Sequence, residues 1–202
     1  MRNFKTLVTA AATTATLSLA GAPAMADGHA NSWVLDPALS NISFGSIKDD
    51  YFGESHSFGK TSGNVTADGA VTLELGLGSV ETNIDIRNER LVSFIFNNAP
   101  NATITADIDM DVLNALPVGG STTIETYGTL NLLGVENDLD ANFFVMRLSE
   151  TQVLVDSNGM VMLSTEDAGI NAGIDKLQEL ASLDSITRVS PVSLRLIFNV
   201  DS

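Results

Sequence analysis

The chain has no cysteine, five prolines, two histidines and an aromatic content of only 6%. Without cysteine it has no disulfide to brace it and no thiolate to act as nucleophile or soft metal ligand. An anchor of the kind that acylates an N-terminal cysteine is excluded for the same reason. Bases are scarce as well: ten Lys and Arg stand against 25 Asp and Glu, a formal net charge of −15. A surface of that sign repels nucleic-acid phosphates and anionic lipid heads, so neither is expected as a partner. Beyond residue 26 no apolar run approaches the roughly 18 to 20 residues that a spanning helix needs. Aromatics are too few for the interfacial girdles of an outer-membrane barrel, and Asp or Glu interrupts many candidate strands.

What is present begins with an export pattern. Arg2 and Lys5 precede a mildly apolar run over 7–22, and Ala24-Met25-Ala26 supplies a small-x-small cleavage pattern. Residues 1–26 are therefore expected to be a cleaved signal peptide and 27–202 a single domain. Two of the ten bases leave with the signal, which takes the net charge from −15 to −17. The expected location is the periplasm of a Gram-negative bacterium, or the outside. Without disulfides, such a domain depends on its core alone.

After a loose leader over 27–32 the dominant period is two. In 102–110 Ile104, Ala106, Ile108 and Met110 alternate with Thr103, Thr105, Asp107 and Asp109; 71–75 alternates likewise, as does 192–200 except where Ile197 breaks the pattern. This is the pattern of half-buried antiparallel strands. Further strands fit 41–47, 55–66, 122–133, 138–147, 151–157 and 159–165. Asp68-Gly69 and Asn158-Gly159 carry the turn chemistry of tight hairpins. Two segments switch to helical spacing: 88–98, with Leu91, Phe94 and Ile95 on one face, and 173–183, with Ile174, Leu177, Leu180 and Ala181 on one face. About nine strands and two short helices predict an all-β domain, closed or nearly closed, since closure removes strand edges.

Reactive chemistry is sparse. His56, flanked by serines, lacks the convergent ligands of a metal site, and no G-x-S-x-G elbow accompanies it. Asp107, Asp109 and Asp111 begin like a calcium loop, but Val112 and Val118 stand where Gly and Glu belong. They read as a wet strand face. The sequence "GLGSVE" at 76–81 fails the dinucleotide pattern, with Glu81 in the third glycine's place. By contrast, 143–146, 153–155 and 160–163 are apolar on both faces, so they need two apolar partners. An ordinary core and a barrel interior holding an elongated apolar ligand both satisfy that pattern.

Four stretches carry a resemblance: "WVLDPALSNISF" (33–44), "SVETNIDIRNERLVSFIFN" (79–97), "APNATI" (99–104) and "GTLNLLGV" (128–135). In this order and spacing the chain resembles the YceI-like family, from about Trp33 to Val200. The resemblance implies a lipocalin-like antiparallel eight-stranded β-barrel in the periplasm. It also implies that the barrel binds a polyisoprenoid, a ubiquinone-type or polyprenyl chain, without catalysis or cofactor, and that two copies pair as a homodimer. Leu39, Leu133 and the run Asn88-Glu89-Arg90 replace positions where the family often has histidine, which weakens a histidine-based role here.

Arg87 is expected to fork its hydrogen bonds between backbone carbonyls or a carboxylate where strand gives way to helix. Gly128 and Gly134 are expected to permit bending or close backbone approach. Segment 166–191 is expected to cap the barrel or to build a dimer face. Taking the implied tunnel with the alternation, the expected lining is Ile42, Phe44, Leu73, Leu75, Ile104, Ile108, Leu130, Leu132, Phe144, Met146, Leu194 and Leu196. The alternatives are a ligand-free structural or interaction protein, and a hydrolase using His56 with Glu54 or an aspartate.

Overall fold

The alternating segments form strands that close into one barrel in the computed structural model, which describes residues 31–201. The expected signal peptide lies outside the described residues. Twelve strand segments occur: β1 Trp33–Leu35, β2 Asn41–Lys48, β3 Phe52–Phe58, β4 Thr61–Val65, β5 Ala70–Gly76, β6 Val80–Glu81, β7 Asn101–Asp107, β8 Ser121–Leu132, β9 Val135–Ser149, β10 Gln152–Ser157, β11 Val161–Ser164 and β12 Val189–Val200.

Several are pieces of one stave. β1 and β2 both pair with β12, β3 and β4 pair with β2 and β1, and β10 and β11 both pair with β12. Merging them leaves eight antiparallel staves in chain order, over 33–48, 52–65, 70–81, 101–107, 121–132, 135–149, 152–164 and 189–200. The last pairs with the first, Trp33 opposite Val200, and the barrel is closed.

This count explains a difference from the sequence expectation. Asn158-Gly159 is not a hairpin. Gly159 has φ of 134°, but the segments on either side of it lie along the same partner strand, so the glycine breaks a stave without reversing it. A true two-residue turn stands instead at Leu133-Gly134, with φ of 56° and 83° and Leu132 paired to Val135. Positive φ at both central residues gives the turn the twist that matches the strands it joins. Gly134 therefore belongs to a turn. Gly128 sits within β8, where a Cβ would meet the Thr105 carbonyl oxygen at 2.8 Å.

Three short helices interrupt the meander: α1 Asp85–Arg90, α2 Met110–Asn114 and α3 Asn171–Ala181. The single turn α2 begins where the sequence pattern continues as strand. β7 stops at Asp107, and the Asp109 carboxylate caps the new helix by accepting from the Asp111 N–H at 2.9 Å. Asp109 and Asp111 are thus helix-start chemistry, and of the three aspartates only Asp107 lies on the strand.

α1 runs on into a π-helical turn, Leu91–Ile95, with the Phe96 N–H donating to the Leu91 carbonyl. The wider turn rotates the following residues relative to an α-helix. Leu91, Ile95 and Phe96 become buried, and Phe94 faces out at 40% exposure. Leu180, at 36%, is likewise turned outward on α3.

The chain direction fixes two ends. Trp33, Val65, Ile108 and Met110 sit at the end where β1 begins and β7 finishes. At the other end α1, its π turn and α3 cross the barrel. α3 lies close against the π turn because residue 173 is glycine: a Cβ there would meet Ile95 Cδ1 at 2.8 Å and Ile95 Cα at 3.0 Å. Two apolar clusters result, one around Trp33, Leu73 and Leu196, the other around Leu77, Leu91 and Ile174.

Candidate functional site

Between the two apolar clusters the barrel is hollow. The cavity has a volume of about 590 Å³, within the roughly 300–1,000 Å³ usual for ligand sites. Its wall is built by parity. On every stave the residues of one alternation face inward: Ile42 and Phe44 on β2, Leu73 and Leu75 on β5, Ile104 on β7, Leu130 and Leu132 on β8, and Leu194 and Leu196 on β12. Ile108, just past β7, joins them. Where Ala106, Gly128 and Ala141 lie on the neighbouring staves β7, β8 and β9, small side chains keep the lumen wide.

Two expected wall residues, Phe144 and Met146, are not in the cavity. The strand is displaced by one position from the expectation, and Phe143 and Val145 face inward instead. Phe144 is 37% exposed, whereas Val145 is completely buried. The four residues 143–146 are apolar on both faces and give no parity of their own. Upstream, Asp138, Asp140 and Asn142 alternate with Leu139 and Ala141, and that run fixes even numbers outward. The signal was present in the sequence, a few residues earlier than the apolar block.

One patch of the wall is polar, and no single stretch of the sequence displays it. Ser46 and Lys48 on β2 and Glu54 and His56 on β3 share the inward parity of Phe44 and Phe58, and Arg87 on α1 reaches them. Arg87 forks as expected: Nη1 donates to Glu54 Oε2 at 2.7 Å and Nη2 to the Thr82 carbonyl at 2.7 Å. Lys48 Nζ lies 3.3 Å from the other Glu54 oxygen. Asn88 secures the same bend, accepting from the Thr82 N–H at 2.9 Å and hydroxyl at 2.6 Å. The motif "RNERL" is therefore a knot at the start of the helical cover, and Leu91 is the plug that follows it.

His56 is buried, and its Nε2 is 3.0 Å from Ser46 Oγ. Its Nδ1 has no partner, and neither does the buried Nε of Arg87. Burial, with the Arg87 charge close by, pushes the His56 pKa down against the opposing pull of Glu54, so the ring is neutral at neutral pH. Burial acts to raise the Glu54 pKa, but hydrogen bonds from Arg87 and Lys48 outweigh it and hold the carboxyl below its usual range. With Glu54 bound by two cations and Nδ1 unpartnered, no acid orients His56 as a base. Beneath the polar patch runs an aromatic row: Phe44 lies 5.1 Å from His56 and 5.3 Å from Phe58, and Phe58 lies 6.0 Å from Phe96, centroid to centroid.

The cavity reaches the surface beside α1 and the end of α3. Ile84 and Ile86 line it and are 43% and 52% exposed; Leu183 and Ile186 line the facing side. Segment 166–191 accordingly covers one end of the barrel. Among the described residues no group of three His, Cys, Asp or Glu converges as a metal site, and no helix is long and apolar enough to cross a membrane.

A closed eight-stave barrel around an apolar hollow accords with the outcome of comparison with known proteins, in which residues 33–189 match the model of the YceI-like domain. The chain belongs to the YceI-like family. A polyisoprenoid binding domain from Saccharophagus degradans, implicated in plant cell wall breakdown, superposes on this YceI-like barrel with a TM-score of 0.82. The two are 32% identical, and the match covers 85% of this chain and 99% of that one. Burkholderia cenocepacia BcnA has the same fold, with a TM-score of 0.62 at 17% identity, covering 81% of this chain and 98% of its own. Among curated proteins none matches the sequence.

Proposed function

We propose that this YceI-like protein is exported to the periplasm and there sequesters or carries a polyisoprenoid, a ubiquinone-type or polyprenyl chain, in its barrel. The observation that carries the reading is the hollow: about 590 Å³, walled by apolar side chains from all eight staves and open beside Ile84 and Ile86. Burying a prenyl tail there gains roughly 25 cal/mol per Å² of apolar surface before the entropy of association is subtracted. The polyisoprenoid binding domain of S. degradans, similar over nearly its whole length, supports the choice of ligand class. The role is binding and not turnover. Ile42, Phe44, Leu73, Leu75, Ile104, Ile108, Leu130, Leu132, Leu194 and Leu196, together with Phe143 and Val145, are the proposed contacts with the chain.

The test is mass spectrometry of an organic extract of protein purified from its own host, followed by delipidation and reloading. A prenylated species in the extract and stoichiometric uptake of a prenyl quinone or polyprenol are expected. Natively folded, delipidated protein that takes up neither would overturn the proposal. The family resemblance further leads us to propose a homodimer. Equilibrium sedimentation is expected to give twice the chain mass, and a single-chain mass at high concentration would discard the pairing.

A further inference from the structure

The chain is acidic throughout, yet its cavity is not. Among the described residues there are eight Lys and Arg, of which three, Lys48, Arg87 and Arg90, line the cavity. Of the 24 described Asp and Glu, one does, Glu54. That single carboxylate is shared, with Arg87 at 2.7 Å and Lys48 at 3.3 Å. Arg90, beside the opening, has no carboxylate partner; its one contact is a long bond to the Leu180 carbonyl, at 3.5 Å. The open end of the lumen thus carries more cations than anions, although among the described residues anions outnumber cations threefold. In a partly desolvated site an uncompensated cation is costly, and a bound anion offsets that cost.

The hydrogen bonds are also incomplete. Arg87 Nε is buried and donates to nothing, and His56 Nδ1 is buried and unpartnered. If Ser46 donates its hydroxyl proton to Nε2, the neutral ring carries its proton on Nδ1 and becomes a second donor. Nature rarely leaves such groups buried without a partner. Both belong to residues of the cavity wall, directly above the aromatic row of Phe44 and Phe58.

The geometry points to a seat for the head group of the bound chain at Lys48, His56, Arg87 and Arg90, built for an anionic oxygen head, a phosphate or a carboxylate, in preference to a neutral alcohol or quinone. This inference rests on the prenyl-binding reading and narrows it. The tail fills the apolar lumen toward Trp33. The head stays near the opening, accepting from Arg87 Nε–H and the imidazole N–H and balancing the cations that Glu54 leaves uncompensated.

The experiment compares matched prenyl probes on the delipidated mature chain: farnesol, farnesoic acid, farnesyl monophosphate and a short-chain prenyl quinone, with inorganic phosphate alone as a fifth arm. Titration calorimetry is expected to rank at least one anionic probe tenfold or more above farnesol and the quinone. The paired variant Lys48→Gln/Arg90→Gln, which keeps the Arg87–Glu54 pair, is expected to reduce the ratio of anionic-probe to farnesol affinity threefold or more. Inorganic phosphate is expected to compete only at concentrations far above those of the prenyl phosphate. Equal affinity for alcohol and anions overturns the head-group inference and leaves the tail reading standing. Parallel losses for farnesol and the anions in the variant also overturn it. Inorganic phosphate binding as tightly as the prenyl phosphate overturns it in favour of a free-anion site. Failure of every prenyl probe overturns both readings together.

Discussion

His56 combines burial with a neutral ring, and that combination is visible in stability. Its pKa in the folded protein lies below the ordinary value of 6.5. Between those two values the unfolded chain binds a proton that the folded chain does not, so stability rises with pH across the window and falls as pH drops from about 7 through 6.5. Glu54 adds a second loss at lower pH: its folded pKa lies below 4.5, so its contribution disappears as pH falls from there. In His56→Gln the second slope, below pH 4.5, is expected to persist and the first to vanish, the latter measured by urea denaturation at pH 5.5 and 7.5. An unchanged slope between those two pH values would mean that His56 is not the group titrating.

Parity on β9 is the other question at this scale. Phe143→Ser is expected to cut uptake of a prenyl probe tenfold or more, and Phe144→Ser to leave it within about twofold. The reverse order would restore the register read from the apolar block alone. The wall as a whole was legible, because Ile42, Leu73, Ile104, Leu130 and Leu194 each sit in runs whose polar neighbours declare the outer face. At 143–146 the neighbours are apolar too, and the local pattern has no preferred face. The polar patch was illegible for a different reason: Ser46, Lys48, Glu54, His56 and Arg87 come from three segments, and only pairing across β2 and β3 shows that they converge.

Among the elements, the helical cover depends on one missing side chain. Gly173 lets α3 approach the π turn until a Cβ would touch the Phe94 carbonyl oxygen and Ile95. Gly173→Ala gains helix propensity of about 1 kcal/mol, yet overpacking at so tight a contact costs typically 1–3 kcal/mol. The net expectation is a melting temperature lower by a few degrees, with strand content retained by circular dichroism, and faster release of the bound chain. A rise in melting temperature would show that α3 is free to move away. Helical spacing of 3.6 residues per turn puts Phe94 on the buried face, whereas the backbone takes the wider π turn there and carries it outward. The one-turn α2 is hidden in the sequence because Asp109 fits a strand's wet face as well as a helix cap, and only the chain's direction after Asp107 separates the two.

For the molecule as a whole, closure and hollowness are separate properties and can be tested apart. Ala106 faces Gly128 across β7 and β8 on the lumen side. Ala106→Phe is expected to fill part of the hollow, keep the fold and reduce prenyl uptake at least tenfold. Filled or empty, the protein should also differ in stability. A ligand at 100 times its Kd adds about 2.7 kcal/mol, so delipidated protein is expected to melt several degrees below the loaded form. Equal melting temperatures would indicate that the hollow contributes no binding energy.

At the end away from α1 and α3 stands Trp33, the chain's single tryptophan, part of the cavity wall and almost fully buried, with the Arg147 guanidinium 5.9 Å from its ring centre. The barrel thus carries its own optical gauge, one indole at the far end of the tunnel. A prenyl tail long enough to reach it is expected to displace water and shift its emission to the blue, and a tail too short is expected to leave the spectrum unaltered. A ladder of prenyl chain lengths read by that one emission band would measure how deep the hollow accepts its guest.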